Sequence, residues 1–168
     1  MIVENFRLEP GSVIPNNPRL PVIVYRQVFD DKHGLAVAFE DRFTVHGWRG
    51  LWRNGIYDYH HYHSGAHEVL GIARGAGRVM LGGPEGMDVT LAAGDCVLLP
   101  AGTGHCRLSA SPDFLVIGGY PPGQHADMQI EAPDAAMLAT IRDCPLPDDD
   151  PIEGGDGALA SLWRRLAP

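Results

Sequence analysis

The sequence predicts an all-β fold, a jelly roll accompanied by a few peripheral helices. Short runs of β-branched and apolar residues recur between residues 56 and 120, and turns rich in glycine and proline separate them. Antiparallel strands at this spacing are typical of two facing sheets that enclose a ligand cavity. The predicted strands are Ile56–His63, Glu68–Ala73, Arg78–Leu81, Met87–Leu91, Cys96–Leu99, His105–Leu108 and Phe114–Tyr120.

The segment ahead of these strands is predicted to hold an arm, a strand and a helix. Residues 1–20 are rich in proline, asparagine and glycine, which predicts an irregular arm over the barrel. The run Pro21–Phe29 is rich in β-branched residues and predicts a first strand. Apolar residues from Leu35 to Phe43 recur at helical spacing, and Gly47 follows where such a helix would end.

Residues 121–168 are predicted to form a helical and acidic extension. Pro133 stands at the first position of a helix that stops before Pro145. The aspartates at 148–150 are predicted to lie in a solvated loop, because their spacing lacks the pattern of a calcium-binding EF-hand. A last short amphipathic helix is predicted from Leu159, Leu162, Trp163 and Leu166.

Length and composition predict a single domain over residues 1–168, with a barrel core at about 20–120. The net charge of −8 argues against binding to nucleic acid or to anionic membranes. The sequence has neither a long uncharged apolar run nor the basic and apolar blocks of a signal peptide. Its three cysteines lack CxxC spacing, which is typical of free thiols in a reducing compartment. We therefore expect a cytoplasmic protein.

Four side chains in the middle of the chain have the spacing of metal ligands. His61 and His63 lie two residues apart, so they share one face of a strand. Glu68 begins the next predicted strand, and His105 begins a distant one. A site of three imidazoles and one carboxylate suits a divalent first-row metal and leaves positions open for water or substrate. We predict that these four residues bind a metal.

The register of the strands leaves two alternatives for this ligand set. His67 precedes Glu68, and a shift of one residue would turn His67 inward in place of the carboxylate. His60 stands in the same relation to His61, although only His61 shares a face with His63.

The same residues resemble the two sequence motifs of the cupin superfamily. The first motif, G-x5-H-x-H-x4-E-x6-G, is met by Gly55, His61, His63, Glu68 and Gly75. The second, G-x5-P-x-G-x2-H-x3-N, is met by Gly94, Pro100, Gly102 and His105, with Ser109 where asparagine is usual. Over most of the chain, including Gly119–Gly123, the sequence is also similar to a bacterial cupin group, the YjlB-like proteins.

The resemblance implies a fold, a cofactor and a class of ligand. It implies a double-stranded β-helix, known as the cupin barrel, and a homodimer. The cofactor would be a divalent transition metal, and the ligand types do not choose among Fe, Zn, Ni and Mn. The implied function is that of a metal-dependent oxygenase, isomerase or decarboxylase acting on a small polar or carboxylate-bearing molecule. The alternative is a cupin that binds or senses a small molecule without turnover.

Two further residues are candidates for contact with a substrate. Tyr59 lies two residues before His61 and could donate a phenolic hydrogen bond, or only pack. Arg107 lies two residues after His105 and could meet an anionic group, or pair with an acid at the rim. The aromatic residues Trp52 and Tyr57 precede the first motif, where large rings either roof a pocket or anchor a core.

Overall fold

The computed structural model describes residues 1–31 and 33–166, and antiparallel strands dominate it. The strands are β1 Ile2–Phe6, β2 Val22–Arg26, β3 Arg49–Asn54, β4 Glu68–Arg74, β5 Ala76–Leu81, β6 Met87–Ala92, β7 Cys96–Leu99, β8 His105–Ala110 and β9 Leu115–Tyr120. The helices are α1 Leu35–Val45, α2 Ala135–Asp143 and α3 Ala158–Leu162, followed by a 3-10 turn at Arg164–Leu166. One sheet has the order β1-β2-β7-β4-β9-β3 and the other the order β6-β5-β8. The predicted all-β jelly roll with a few peripheral helices is confirmed.

The predicted barrel strands agree with the observed ones to within two residues, except for the first. The prediction of a strand over Ile56–His63 is wrong, because only His61 and Tyr62 form isolated bridges there. His61 pairs with His105 of β8, whereas Tyr62 pairs with Gln129 in a separate segment. Since the partner changes after one residue, no ladder can develop along this segment.

The prediction of an irregular arm over residues 1–20 is wrong in part. β1 pairs antiparallel with β2 along its whole length. Asn16, further along, bridges two distant turns: its side-chain amide donates to the Gly82 carbonyl at 3.0 Å, and the Gly104 N–H donates to Asn16 Oδ1 at 3.1 Å. The polar side chains therefore connect this arm to the barrel instead of keeping it in solvent.

Both faces of the six-stranded sheet are buried at its central strands β2, β7, β4 and β9, and each face supports a different layer. β4 alternates, so that Val69 faces outward while Leu70 and Ile72 face the barrel interior. We call these the outer face and the inner face. The outer face packs against a cluster of apolar residues from α1 and the C-terminal segment: Leu35, Phe39, Phe43, Trp48, Ile152, Leu159 and Trp163. The inner face packs against the three-stranded sheet through Val79, Leu81, Val89 and Leu91.

Helix α1 covers the outer face through residues one turn apart. Leu35, Phe39 and Phe43 are buried and follow the four-residue spacing of one helical face. Burial of each phenylalanine contributes roughly 1.5–3 kcal/mol. Gly71 of β4 makes this contact close, since a Cβ at that position would lie 2.6 Å from the Phe39 ring.

The acidic segment at 148–150 is not simply the solvated loop that the sequence suggests. Asp150 is buried, and its carboxylate accepts four hydrogen bonds. The donors are the Tyr25 hydroxyl at 2.5 Å, Ile152 N at 2.8 Å, Leu159 N at 2.9 Å and Glu153 N at 3.0 Å. Asp150 thus fixes the C-terminal segment against the outer face.

The helices of the extension agree with the sequence in type. Helix α2 begins two residues after Pro133, because Asp134 caps it by accepting from Met137 N at 2.8 Å. After α3, the buried Trp163 indole donates to the Pro21 carbonyl at 2.9 Å. The predicted packing of the Leu166 side chain lies outside the described residues. In the described part of the chain, every helix is too short or too polar to cross a membrane.

Candidate metal centre

Three histidines meet at one end of the barrel interior. His61 and His105 are paired through their backbones, with His105 N donating to His61 O at 2.9 Å, and their ring centroids lie 4.0 Å apart. His63 comes two residues after His61, and its carbonyl accepts from Gly102 N at 2.8 Å. All three side chains are buried, and each offers a ring nitrogen within 4.8 Å of the other two. The structure therefore brings together the three histidines that the sequence nominated.

Backbone carbonyls fix the orientation of each of these rings. The Nδ1 atoms lie next to the carbonyls of Tyr59, Asp127 and Thr103, at 2.9, 2.5 and 3.1 Å for His61, His63 and His105 respectively. A carbonyl only accepts, so each Nδ1 carries the proton and donates it. In the neutral tautomer, the lone pair of each ring then lies on Nε2. Such an arrangement is typical of histidines that bind metals through Nε2.

Glu68 adjoins two of the three histidines. It is the first residue of β4 and faces the barrel interior, where its Oε2 lies 3.3 Å from His63 Nε2 and 3.2 Å from His105 Nε2. These distances are short, yet neither nitrogen has the geometry of a hydrogen bond to Oε2, which has no such partner among the described residues. A buried carboxylate is costly unless a positive charge compensates it, and here the compensating charge is either a proton on a neighbouring imidazole or a bound cation.

The environment sets the protonation of this cluster. Burial lowers the pKa of His61 to about 4, which keeps that imidazole neutral at physiological pH. Burial alone would raise the pKa of Glu68, but the neighbouring His63 and His105 outweigh it and hold the pKa below its usual range. Burial lowers the pKa of His63, but the Glu68 charge more than reverses this and brings it to about 9. A metal ion would have to displace the proton on His63.

The structure resolves the alternative ligands His67 and His60. His67 faces outward, where its ring lies 4.9 Å from that of Trp163 and its Nδ1 accepts from Ala101 N at 2.9 Å. Glu68 therefore occupies the inward position. His60 is absent both from the histidine cluster and from the residues that line the adjoining cavity.

The cluster lies at the base of a cavity of about 280 Å³. The walls above it carry aromatic and apolar side chains together with polar ones and a glycine: Trp52, Ile56, Tyr57, Leu70, Tyr120, Ala126 and Met128, then Arg53, Asn54 and Asp127, and Gly55. The Trp52 indole donates to the Tyr120 hydroxyl at 2.9 Å. Burial and the Glu68 charge raise the pKa of Tyr120 above its usual value, so the phenol keeps its proton. This volume is near the lower end of the ~300–1,000 Å³ that is usual for small-molecule pockets.

Trp52 reaches the cavity because glycine stands opposite it. Trp52 of β3 pairs with Gly118 of β9, and a Cβ at Gly118 would lie 2.0 Å from the indole. The glycine thus lets the ring lie against the strand backbone beneath it.

The two residues predicted to contact a substrate lie outside this cavity. Tyr59 is 43% exposed and stacks on Tyr57 with ring centroids 5.2 Å apart, and only Tyr57 lines the cavity. Arg107 lines a neighbouring depression with Asp58, to which its Nη2 lies 3.9 Å away. The catalytic roles of Tyr59 and Arg107 stay predictions, and the cavity itself offers Tyr120 instead.

Two contributors to the site, Tyr120 and Asp127, were not predicted from the sequence, and the role of a third, Trp52, was left open. Tyr120 could have been found from the alternation of β9, which puts it on the same face as the inward Val116. Trp52 was noticed but not assigned to the cavity. Asp127, whose carbonyl accepts from His63, has no local signal, since it comes from an irregular segment 64 residues away in sequence.

The donor set fits a divalent cation. Three mutually close imidazoles, with a carboxylate beside two of them, are ligand types that first-row metals prefer, and the Nδ1 of each ring already has its acceptor. The unpartnered Glu68 Oε2 supplies the observation on which the fit depends.

Comparisons with known proteins identify this chain as similar to cupins. The profile of the cupin domain matches residues 51–113. Uncharacterized protein YjlB of Bacillus subtilis strain 168 is 41% identical over 152 residues, which cover 89% of this chain and 90% of YjlB.

Two solved structures are similar at low identity. A conserved protein with a double-stranded β-helix domain from Klebsiella pneumoniae has a TM-score of 0.40 at 16% identity, covering 77% of this chain and 81% of that one. Acireductone dioxygenase from Bacillus anthracis, solved with a cadmium ion in its active centre, has a TM-score of 0.39 at 15% identity, covering 63% of this chain and 78% of that one.

Proposed function

The chain belongs to the YjlB-like cupin family, and on that premise we propose that it is a metal-dependent protein whose cation is held by His61, His63, Glu68 and His105. One observation supports this most strongly. All three histidines have Nδ1 engaged by a backbone carbonyl, which leaves Nε2 of each mutually close ring to bind a cation, and a Glu68 carboxylate oxygen lies beside two of the rings.

Each ligand has a role that follows from its surroundings. The backbone pairing of His61 with His105 sets the spacing of their rings, so these two form a rigid pair. His63 would release its proton on metal binding, and Glu68 would contribute the negative charge. The three neutral imidazoles and one carboxylate would leave a net charge of about +1 on a divalent centre, which favours an oxygen-bearing ligand.

We propose an enzyme of the oxygenase, isomerase or decarboxylase type acting on a small molecule. The bound cation would supply Lewis acidity that polarises an oxygen of the ligand. Tyr120 would donate its hydroxyl proton to the ligand, since the Trp52 indole N–H occupies an acceptor position on the same oxygen. The cavity walls would exclude bulk water from the base, where His61, Glu68 and Leu70 are buried.

Metal analysis tests the first part of this proposal. Protein purified without chelator or metal-binding tag should carry about one Fe, Zn, Ni or Mn ion per chain. His61→Ala should lower the affinity for that metal by about a hundredfold or more, whereas His33→Ala, at an exposed site, should leave it unchanged. A folded wild-type protein that takes up none of these metals would contradict the proposal.

Turnover separates an enzyme from a binding or sensing protein. Oxygen uptake by the iron-loaded protein should be measured over a panel of small acids, diols and catechols. Uptake that His105→Ala abolishes would support the oxygenase form. Ligand binding without product formation for any metal would favour the alternative, a cupin that binds or senses a small molecule.

The oligomeric state of the protein and its cellular compartment are two further proposals. The family resemblance implies a homodimer, and the three free cysteines favour the reducing cytoplasm. Light scattering on the purified chain should give about twice its mass of 18.2 kDa, and a monomer at all concentrations would contradict the dimer.

A further inference from the structure

The polar groups that line the cavity are divided unevenly between its base and its walls. The base holds the four proposed metal ligands, and Tyr120 stands beside them. Tyr57 and Met128, which also line the cavity, are about half exposed and mark its mouth. A ligand that binds the cation must therefore extend along a path from polar base to apolar wall.

The charged side chains on the walls already form salt bridges or hydrogen bonds with other protein groups. Arg53 forms a bidentate pair with Glu40 at 2.6 and 2.7 Å. The carboxylate of Asp127 accepts from Ser64 N, Ser64 Oγ, Gly65 N and Gln129 Nε2 at 2.6–3.0 Å. All the lining residues lie in the described part of the chain, and none of them offers a free cationic side chain. A second anionic group on a ligand would meet Asp127, aromatic rings and the neutral amide of Asn54, with no unpaired cationic side chain to compensate its charge.

From this distribution we infer that the cavity accepts a small ligand with one metal-binding oxygen end and a flat apolar body, and discriminates against a second anionic group at the far end. Trp52, Tyr57 and Tyr120 supply ring surfaces that pack against a flat body. The inference rests on the proposed metal centre, and it narrows the substrate class from small polar molecules in general to amphipathic ones.

Two catechols that differ at a single position test the inference. 4-Methylcatechol and 3,4-dihydroxybenzoate present the same pair of hydroxyls to a metal, but carry a methyl or a carboxylate at the far side of the ring. Zinc-loaded protein under anaerobic conditions avoids oxidation of the probes. Isothermal titration should show 4-methylcatechol binding about tenfold or more tightly than 3,4-dihydroxybenzoate. The carboxylate makes the catechol hydroxyls more acidic and thus better ligands at neutral pH, so this bias works against the expected result.

A charge placed on the wall should reverse the preference. Met128→Arg adds an unpaired cation at the mouth and should raise the affinity for 3,4-dihydroxybenzoate relative to 4-methylcatechol. Met128→Gln removes the apolar side chain without adding charge and is the matched control. Met128 is about half exposed, so both variants should fold.

The outcomes separate this inference from the metal centre. If the wild type retains zinc but binds 3,4-dihydroxybenzoate as tightly as 4-methylcatechol or more so, or binds neither, the inference is overturned and the metal centre stands. If Arg107→Gln abolishes tight binding of 3,4-dihydroxybenzoate, Arg107 contacts the carboxylate of that ligand and the inference is again overturned. Failure of the wild type to retain zinc overturns the metal centre and this inference with it.

Discussion

Two buried carboxylates on opposite sides of the six-stranded sheet differ in how they are satisfied. Asp150 lies at the outer face, and four donors from protein groups meet its two oxygens. Glu68 lies at the inner face, where Oε2 has two imidazole nitrogens within 3.3 Å but no hydrogen bond from the described residues. Both side chains are almost fully buried, at 1% and 3% exposure. The outer carboxylate is satisfied by hydrogen bonds within the fold, whereas the charge of the inner one is balanced through a proton on His63, which a metal ion could replace.

This contrast distinguishes a buried carboxylate that stabilises the fold, Asp150, from one that is suited to bind a ligand, Glu68. A buried charge that the chain itself satisfies contributes to a unique fold, and its loss leaves several donors unpaired. A buried charge that is balanced by a titratable neighbour, with few hydrogen bonds from the chain, is suited to a metal ion that displaces the proton. The difference can be measured by comparing stability and metal binding for matched changes on the two faces.

The largest expected loss of stability is at the outer carboxylate. Asp150→Ala should lower the free energy of unfolding by about 3 kcal/mol or more, because it leaves Tyr25 and three backbone N–H groups without an acceptor. Urea unfolding in the presence of chelator measures this without any contribution from metal. Asp150→Asn keeps one acceptor oxygen and should lose less. A loss for Asp150→Ala below about 1 kcal/mol would show that the outer carboxylate is not structural.

A matched pair of glycines extends the comparison to packing. Gly71→Ala puts a Cβ 2.6 Å from the fully buried Phe39 ring on the outer face, and should cost about 1–3 kcal/mol of unfolding free energy. Gly118→Ala puts a Cβ 2.0 Å from the Trp52 indole, which borders the cavity and has room to move. We expect a smaller loss of stability and weaker binding of 4-methylcatechol to the zinc-loaded protein. Equal losses of stability with unchanged binding would contradict the assignment of Trp52 to the cavity wall.

The inner carboxylate should matter less to stability than to metal binding. Glu68→Gln should change the metal-free unfolding free energy by about 1 kcal/mol or less, because His63 can release its proton when the partner charge is removed. The same variant should lose most of the increase in melting temperature that zinc gives the wild type. A metal-free loss as large as that of Asp150→Ala would mean that Glu68 is structural as well.

The smallest expected effect is a dependence of stability on pH through Asp127. Burial alone would raise its pKa, but the hydrogen bonds from Ser64, Gly65 and Gln129 outweigh it and bring the pKa to about 2. Because the folded value lies below the unfolded value of about 3.9, the contribution is present above about pH 4 and is lost as the pH falls toward 2. The urea midpoint of Asp127→Asn should therefore approach that of the wild type on acidification. A constant difference between about pH 7 and pH 3 would contradict this.

The histidine cluster could be predicted from the sequence because the positions of its members depend on local spacing. His61, His63 and Glu68 lie within eight residues, and the motif around His105 is equally compact. The barrel strands were also predictable, since the alternation of buried residues in β5 and β6 is visible locally. The inward direction of Glu68 followed from the same alternation.

What the sequence missed depends on distant partners. The strand predicted at Ile56–His63 fails because its partner changes from His105 to Gln129, a fact of tertiary pairing. The burial of Asp150 depends on Tyr25, which is 125 residues away, and a run of aspartates gives no sign of it. Arg107 shares a strand with His105, yet it lies beside Asp58 and outside the cavity, because the cavity does not extend along the whole of β8.

The position of a bound metal ion is the most direct test of the proposed metal centre. Crystals of the zinc-loaded protein should show one anomalous peak at the zinc edge, about 2.0–2.2 Å from Nε2 of His61, His63 and His105 and from a Glu68 carboxylate oxygen. A peak at the exposed acidic residues near Asp148 with none at the histidines, or an empty histidine cluster in a folded protein saturated with zinc, would contradict the proposed centre.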